Sequence, residues 1–352
     1  MRENGGMNRY RKTGKGGGLF SALEHEQAVA KKTTGILKLR DLIAWESFRP
    51  LLEELTGYAT RDWRKGGKPP FDPVLMFKVL VLQKFHGLSD DATEEQIFDR
   101  ASFKNFLGLR VGDDIPDAKT LWDFKQRLEA EGREGARRLF EAFGAFLDGQ
   151  GIIAREGSII DASFVEAPRQ RNRREQNQQI KQGERPEEFD ENPAVGRQKD
   201  SEARWTKKNH EVHYGWKNHV KADLKTKLII SAATTPASVH DSQVFEELLD
   251  EKDNAVLTDS AYHSEAHEAC LIRINAQEFL MRKATRGQPL SGEEIKRNHT
   301  ISRMRVRVEH VFARMKHMGA NLCRSIGLPR ATRHNHLCNL VYNMDRYACL
   351  AR

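Results

Sequence analysis

A change of hydrophobic period near Gly157 constrains this chain more than any other feature. Upstream, over residues 37–149, apolar residues recur at helical spacing. Asp72-Pro73 offers a capping carboxylate followed by a proline in the first helical turn, and the run 74–82 that follows is predicted to be a buried helix. Ser89 and Asp117 are further cap candidates. Leu121, Phe124 and Leu128 form one stripe, Gly132 is a stop, and Leu139, Phe140, Phe143, Phe146 and Leu147 mark a last helix before Gly149. Downstream the period shortens to two. Ile159-Ile160-Asp161-Ala162 reads as a short buried strand. Residues 212–223 alternate, with Val212, Tyr214, Trp216, Val220 and Ala222 on one face and His213, Lys217, His219 and Lys221 on the other. After a turn at 224–227, strands are predicted at 228–234, 255–258 and 279–281, with helices capped by Asp241 and Ser264 between them. A chain with this pattern folds as α/β: a mixed five-stranded sheet flanked by helices, preceded by an all-helical N-terminal domain.

The expected division is a flexible basic arm over 1–36, a helical domain over 37–150 and the α/β domain over 151–347. Residues 164–210 interrupt the α/β domain with a polar insert rich in Arg, Glu, Gln and Asn, which cannot bury enough surface to fold alone. Arg169, Arg171, Arg173 and Arg174 in that insert suit a grip on phosphates, and equally a solvated loop. The helical domain also reads in two ways. It resembles a helix-turn-helix DNA reader presenting Lys119, Trp122, Lys125 and Arg127 on its outer faces, or it is a structural or dimerisation domain.

Composition narrows the partners. The 38% hydrophobic and 31% charged residues exclude wholesale disorder. A net charge of +8 draws polyanions such as nucleic acid or an anionic membrane, and equally suits a basic but unrelated protein. No run approaches the ~18 apolar residues of a membrane span, so no membrane partner is expected. Cys270, Cys323, Cys338 and Cys349 lack paired metal-ligand spacing, which points to free thiols in a reducing cytoplasm.

Three acids carry the chemical signal. Asp161 and Asp259 each end or interrupt an apolar strand, and a carboxylate at a buried strand tip is held rigidly, as a metal ligand should be. On local pattern alone each also fits a turn former or a cap. Glu309 is more distinctive. Ile301, Met304, Val308, Val311 and Met315 recur at helical spacing, and Arg305, Glu309, Phe312 and Lys316 share the adjacent face. Glu309 is the only acid between Glu294 and Asp345, among Arg303, Arg305, Arg307, Arg314, Lys316, Arg324, Arg330 and Arg333. One acid embedded in a basic face suits a surface that meets phosphates while gripping a cation, whereas a surface Arg305–Glu309 pair is the plainer alternative.

These passages resemble the DDE transposases of bacterial insertion sequences, in the insertion-sequence-five group. The matching text is Gly157-Ser158-Ile159-Ile160-Asp161-Ala162-Ser163, His213-Tyr214-Gly215-Trp216-Lys217-Asn218-His219, His240-Asp241, Thr258-Asp259-Ser260-Ala261-Tyr262 and Arg305-Val306-Arg307-Val308-Glu309-His310-Val311-Phe312. Leu88-Ser89-Asp90 and Ile115-Pro116-Asp117 resemble that group's N-terminal domain, so the likeness runs from about residue 51 to 347. In the broader family the last acid lies in a Tyr-Arg-Glu-Lys signature. Arg305, Glu309 and Lys316 match it by spacing, but Ser302 stands at the tyrosine position.

The resemblance implies an RNase H-like catalytic domain in which Asp161, Asp259 and Glu309 hold two Mg²⁺ or Mn²⁺ ions. It also implies double-stranded DNA as substrate, both the inverted-repeat ends of an element and its target, and a homodimer or larger assembly to bring two ends together. The expected chemistry is metal-assisted hydrolysis at an element end, then attack of the freed 3′-hydroxyl on target DNA. Arg305 and Lys316 are expected to contact phosphates near the cut. Lys217, His219, Arg314, Arg171, Arg173, Arg174 and Lys125 are further candidate DNA contacts, with core or surface roles open for Lys217, His219 and His240. A silent end-binding repressor and an RNase H-like nuclease without strand transfer are the alternatives.

Overall fold

Side-chain caps set the boundaries of the N-terminal half. The computed structural model describes residues 35–351, except 59, 61–63, 65, 67, 111, 209 and 286, together with 24, 27–29 and 31; most of the expected 1–36 arm lies outside the described residues. Helices α1 (Leu37–Leu42), α2 (Arg49–Thr56), α3 (Pro73–His86), α4 (Asp90–Asp99), α5 (Ala101–Leu107), α6 (Ala118–Leu128) and α7 (Gly135–Gly149) follow one another. Asp72 accepts from the Val74 and Leu75 amides, Ser89 from Ala92 and Asp117 from Thr120, so the three caps expected from sequence each satisfy orphan donors of a first turn. Helix α3 is buried almost all round, from Val74 to Phe85.

The second half is a six-stranded sheet: β1 (Ser158–Glu166), β2 (Arg204–Lys208), β3 (Glu211–Asp223), β4 (Ile229–Pro236), β5 (Ala255–Thr258) and β6 (Gln277–Leu280). The strand order is β2-β3-β1-β5-β6, with β4 also paired to β3. Strand β1 is antiparallel to β3 and parallel to β5, and β5 is parallel to β6. Helices α8 (Arg174–Gln182), α9 (Glu188–Glu191), α10 (Pro193–Gly196), α11 (Phe245–Leu248), α12 (Glu265–Arg273), α13 (Gly292–His317) and α14 (Leu328–Leu350) complete the chain. This is the RNase H-like arrangement, with one strand more than the five expected.

The extra strand, β2, belongs to the polar insert. Its residues alternate poorly, but the main-chain ladder to β3 needs no apolar side chains. The rest of the insert is anchored by hydrogen bonds rather than by a core of its own. Asp200 accepts from the Glu202, Ala203 and Gly327 amides, and Glu202 accepts from Leu328 at the start of α14. Only a few apolar side chains, such as Ile180 and Phe189, are buried within it. The insert is thus held to the domain by the β2–β3 ladder and by these hydrogen bonds.

The two halves share one hydrophobic core. Phe77, Leu80, Phe143 and Leu147 of the helical part lie in the same cluster as Val220, Ile229, Leu257, Val308, Val311 and Leu340. Helix α14 runs between them and is buried on both sides, against α3 and α7 on one and β4 on the other. At the end of α3, Gly87 (φ +63°) lies against Met318 and Gly319 just past α13. A Cβ on Gly87 would stand 3.1 Å from the Met318 carbonyl oxygen, so the helical half touches the end of α13 backbone to backbone.

Gly215 is the tightest point of the sheet. Its φ is +142°, and a Cβ there would lie 2.4 Å from the Val165 carbonyl oxygen and 2.6 Å from the Ala167 nitrogen. Both atoms are backbone and cannot rotate away. Gly215→Ala should cost at least about 2 kcal/mol by combining backbone strain with overpacking. Urea unfolding checks this; a midpoint unchanged from the parent protein would show that β1 and β3 can separate freely here.

Candidate active site

Two of the three acids lie beside one another where the interior of β1 meets the end of β5. The parallel register of β1 and β5 pairs Ser158 with Val256 and Ile159 with Leu257, and two residues further on it sets Asp161 beside Asp259. Neighbouring strands lie about 4.8 Å apart. Ile159 and Ile160 are fully buried, as are Val256, Leu257 and Thr258, so both carboxylates rise from immobile backbone. Asp161 accepts from the Ala162 amide and Asp259 from the Ala261 amide, which orients each side chain. Burial pushes the Asp161 carboxyl above the usual carboxylate range; the Arg305 guanidinium opposes that rise and the Asp259 carboxylate adds to it.

Helix α13 supplies the third side. Ser291 and Glu294 close a capping box at its start, nine residues before the first apolar residue the sequence pattern singled out. Ile301, Val308, Val311 and Met315 are buried, as expected. The helix is tied at both ends. Asn298 pairs with the main chain of Arg282 just past β6, through its Oδ1 and Nδ2. Beyond its C-terminus, Asn321 and Cys323 hydrogen-bond to the main chain of Glu166 at the end of β1. Along the face between, Arg305 Nη2 donates to Asp161 Oδ2 at 2.9 Å, and Phe312 and Lys316 line a cavity of about 220 Å³ with Ser163, Phe164 and Asn218. Glu309 sits on this face between Arg305 and Phe312, exposed and free of hydrogen bonds and ion pairs among the described residues.

The three acids are thus not closed into one cluster. Among the described residues no group of three or more His, Cys, Asp or Glu side chains is placed to hold a metal ion. What accompanies Asp161 instead is Arg305, whose side chain is 14% exposed against 19% for Asp161. The donor set still fits a hard divalent cation. The Asp259 carboxylate lies near enough to act on that of Asp161, and the group paired with Asp161 is itself a cation.

The other expected DNA contacts divide by accessibility. Lys316 is exposed on the α13 face, and Arg171, Arg173 and Arg174 are exposed on the insert, where Arg173 lies 3.5 Å from Glu188. Arg314 donates to Asp345 at 2.8 Å and lies over the Phe85 ring. Three expectations are corrected by placement. Lys217 is buried, donating to Asp241 Oδ1 at 2.7 Å and to the Val239 carbonyl at 2.6 Å. His219 is fully buried against Thr235, and burial drives its imidazole down to about 4, so it carries no charge for a phosphate. Lys125 is mostly buried and paired with Asp90 inside the helical half. Lys217 and His219 lie on a strand that is covered on both faces, whereas Lys125 is held by its ion pair with Asp90.

Asp241, expected to cap a helix, instead neutralises Lys217, and His240 takes the cap of a single 3-10 turn. A lysine facing inward from a long buried strand requires such a partner, and that requirement was the available signal for Asp241. Two further groups near the acids were missed. Lys208 lies close enough to act on the Asp161 carboxyl. The Tyr262 hydroxyl is buried without a hydrogen-bond partner among the described residues; burial and the Asp241, Asp161 and Asp259 carboxylates raise its pKa.

Among the described residues, no helix is long and apolar enough to cross a membrane. A family model described as Transposase DDE domain matches residues 153–344, more than half of the chain. A second, described as Transposase domain (DUF772), matches residues 24–127. No solved structure matches the chain.

Proposed function

Because the chain belongs to the DDE transposase family, whose catalysis is metal-dependent and whose substrate is DNA, we propose that it binds the inverted-repeat ends of an insertion element, cleaves them and joins the 3′-hydroxyl ends to target DNA. The observation that carries this reading is the register that sets Asp161, inside β1, beside Asp259, just past the end of β5, next to the basic face of α13. Finer placement in the insertion-sequence-five group rests on the motif resemblance.

In this reading Asp161, Asp259 and Glu309 hold two Mg²⁺ or Mn²⁺ ions. Such ions, when bound, activate the attacking oxygen and stabilise the leaving oxygen of an in-line displacement. The chain's own residues do the rest. Buried strands keep Asp161 and Asp259 at fixed separation, so little reorganisation is needed when the phosphodiester arrives. Glu309 lies one helical turn beyond Arg305 on the same face of a helix anchored at both ends, and in this reading its side chain turns toward the ions. Lys316, exposed beside the Ser163 cavity, orients the backbone through phosphate contacts. Arg171, Arg173 and Arg174 extend the basic surface and act on affinity more than on chemistry. Two ends must be processed together, so a dimer or larger synaptic assembly is part of the proposal.

The test incubates the purified chain with labelled ends, taken as inverted repeats flanking the reading frame, together with supercoiled target and Mg²⁺. Joined products are the expected result. Cleavage without joining would replace the proposal with a nuclease, and binding alone with an end-binding repressor.

A further inference from the structure

Arg305 stands where two roles compete. Its Nη2 donates to Asp161 Oδ2 at 2.9 Å, and its Nε is buried with no partner among the described residues. Glu309, one turn away on the same face, points to solvent. A guanidinium in this place does for a mostly buried carboxylate what a bound cation would do: it offsets charge that burial penalises. While Arg305 holds Asp161, that oxygen is shared, and no third carboxylate approaches.

We infer that Arg305 is an internal counter-ion of Asp161, holding its carboxylate in place until a DNA phosphate draws the guanidinium away, so that divalent cation and DNA bind with positive coupling. The inference rests on the reading of Asp161 as a cation ligand. A phosphate is the fitting competitor, since its oxygens match the planar donor fork of arginine better than a single carboxylate oxygen does. The exchange is one of side chains. Helix α13 is fixed through Asn298 at one end and through Glu166, Asn321 and Cys323 at the other. Arg305 and Glu309 lie at i and i+4, so the departure of one opens space for the other on the same face. Coupling of this kind is reciprocal: whatever factor DNA adds to cation affinity, the cation adds to DNA affinity.

Mn²⁺ binding to the full chain, followed by the loss of the free-ion electron paramagnetic resonance signal, tests it with and without a short non-specific duplex. In the wild type the duplex should tighten Mn²⁺ binding by about tenfold. Arg305→Gln should bind Mn²⁺ without DNA about tenfold more tightly than the wild type does, and the duplex should then add little. Should Arg305→Gln lack a cooperative thermal transition, Arg305→Lys decides in its place: its point charge holds Asp161 less well, and an intermediate gain is expected. Unchanged or weaker Mn²⁺ binding in the folded Arg305 variant, with Asp161→Asn abolishing binding, would overturn the counter-ion role and leave the metal site standing. Undiminished Mn²⁺ binding in Asp161→Asn would overturn the metal site itself, and the inference with it.

Discussion

Asp161→Asn will lower strand cleavage by at least about a thousandfold, a loss of ~4 kcal/mol of transition-state stabilisation, while binding of element ends stays within a few-fold. The substitution keeps the shape of the side chain and an oxygen able to accept from the Ala162 amide. What it removes is the negative charge at the point where β1 meets β5 and α13. In the proposed function DNA affinity comes mainly from exposed basic residues elsewhere, such as Lys316 and the insert arginines, and those are untouched. Cleavage rates on labelled ends and gel-shift affinities for the same ends, measured side by side, check both halves. Cleavage within about tenfold of the wild type would remove Asp161 from the chemistry. A parallel collapse of binding would make it a structural residue of the sheet.

Much of this site is legible in the sequence because its parts are locally encoded. Asp161 and Asp259 each follow a run of apolar residues, and the burial of Ile159, Ile160, Val256 and Leu257 makes those runs strands. The α13 stripe shows because that helix is buried on one side only, which leaves the period of 3.6 visible at Ile301, Val308, Val311 and Met315. Helix α14 did not show, for the opposite reason. It is covered on both sides, and its sheet-facing side carries asparagines rather than aliphatics. Asn335 reaches Thr234, Asn339 pairs with Asn218, and Asn343 bonds both main-chain groups of Ile229. These polar residues four apart satisfy partners on β3 and β4, but to a hydrophobicity pattern they resemble a solvent face.

The misplaced DNA contacts have a related cause. Alternation set Lys217 and His219 on one side of β3 and left core and surface roles open for both, and both faces of that strand are covered. Their partners, Asp241 and Thr235, come from the segment beyond the next turn. Nothing in the local pattern distinguishes a lysine paired inside from a lysine free outside; only the long-range pairing does. The same holds for Arg305, whose helical face was read correctly while its partner, 144 residues earlier, was not.

Long-range pairing also fixes the opposite end of the strands, and there the largest loss of stability is expected. Lys221 on β3 is fully buried, with its Nζ 2.7 Å from Asp253 Oδ2 and 3.0 Å from Asp250 Oδ2. Asp253, almost fully buried too, accepts in addition from the Ser158 hydroxyl on β1 and from the Asp250 amide. One carboxylate thus ties the start of β1, the C-terminal end of β3 and the turn that leads into β5. Asp253→Ala would leave the lysine with only the half-exposed Asp250 and strand the Ser158 hydroxyl, at a cost of about 3–5 kcal/mol. Lys221→Met in the same chain should recover part of that loss, because it removes the uncompensated charge; the two changes then sum to less than their separate costs. Urea unfolding of the two single variants and the double variant measures this, and additivity would show that the pair does not interact. The consequence reaches the acids. Ser158 pairs with Val256 in the same register that sets Asp161 beside Asp259, so a turn freed at Asp253 loosens that register. The single Asp253 variant should therefore lose cleavage at temperatures well below its unfolding midpoint, whereas a variant that merely unfolds earlier would keep full cleavage until it does.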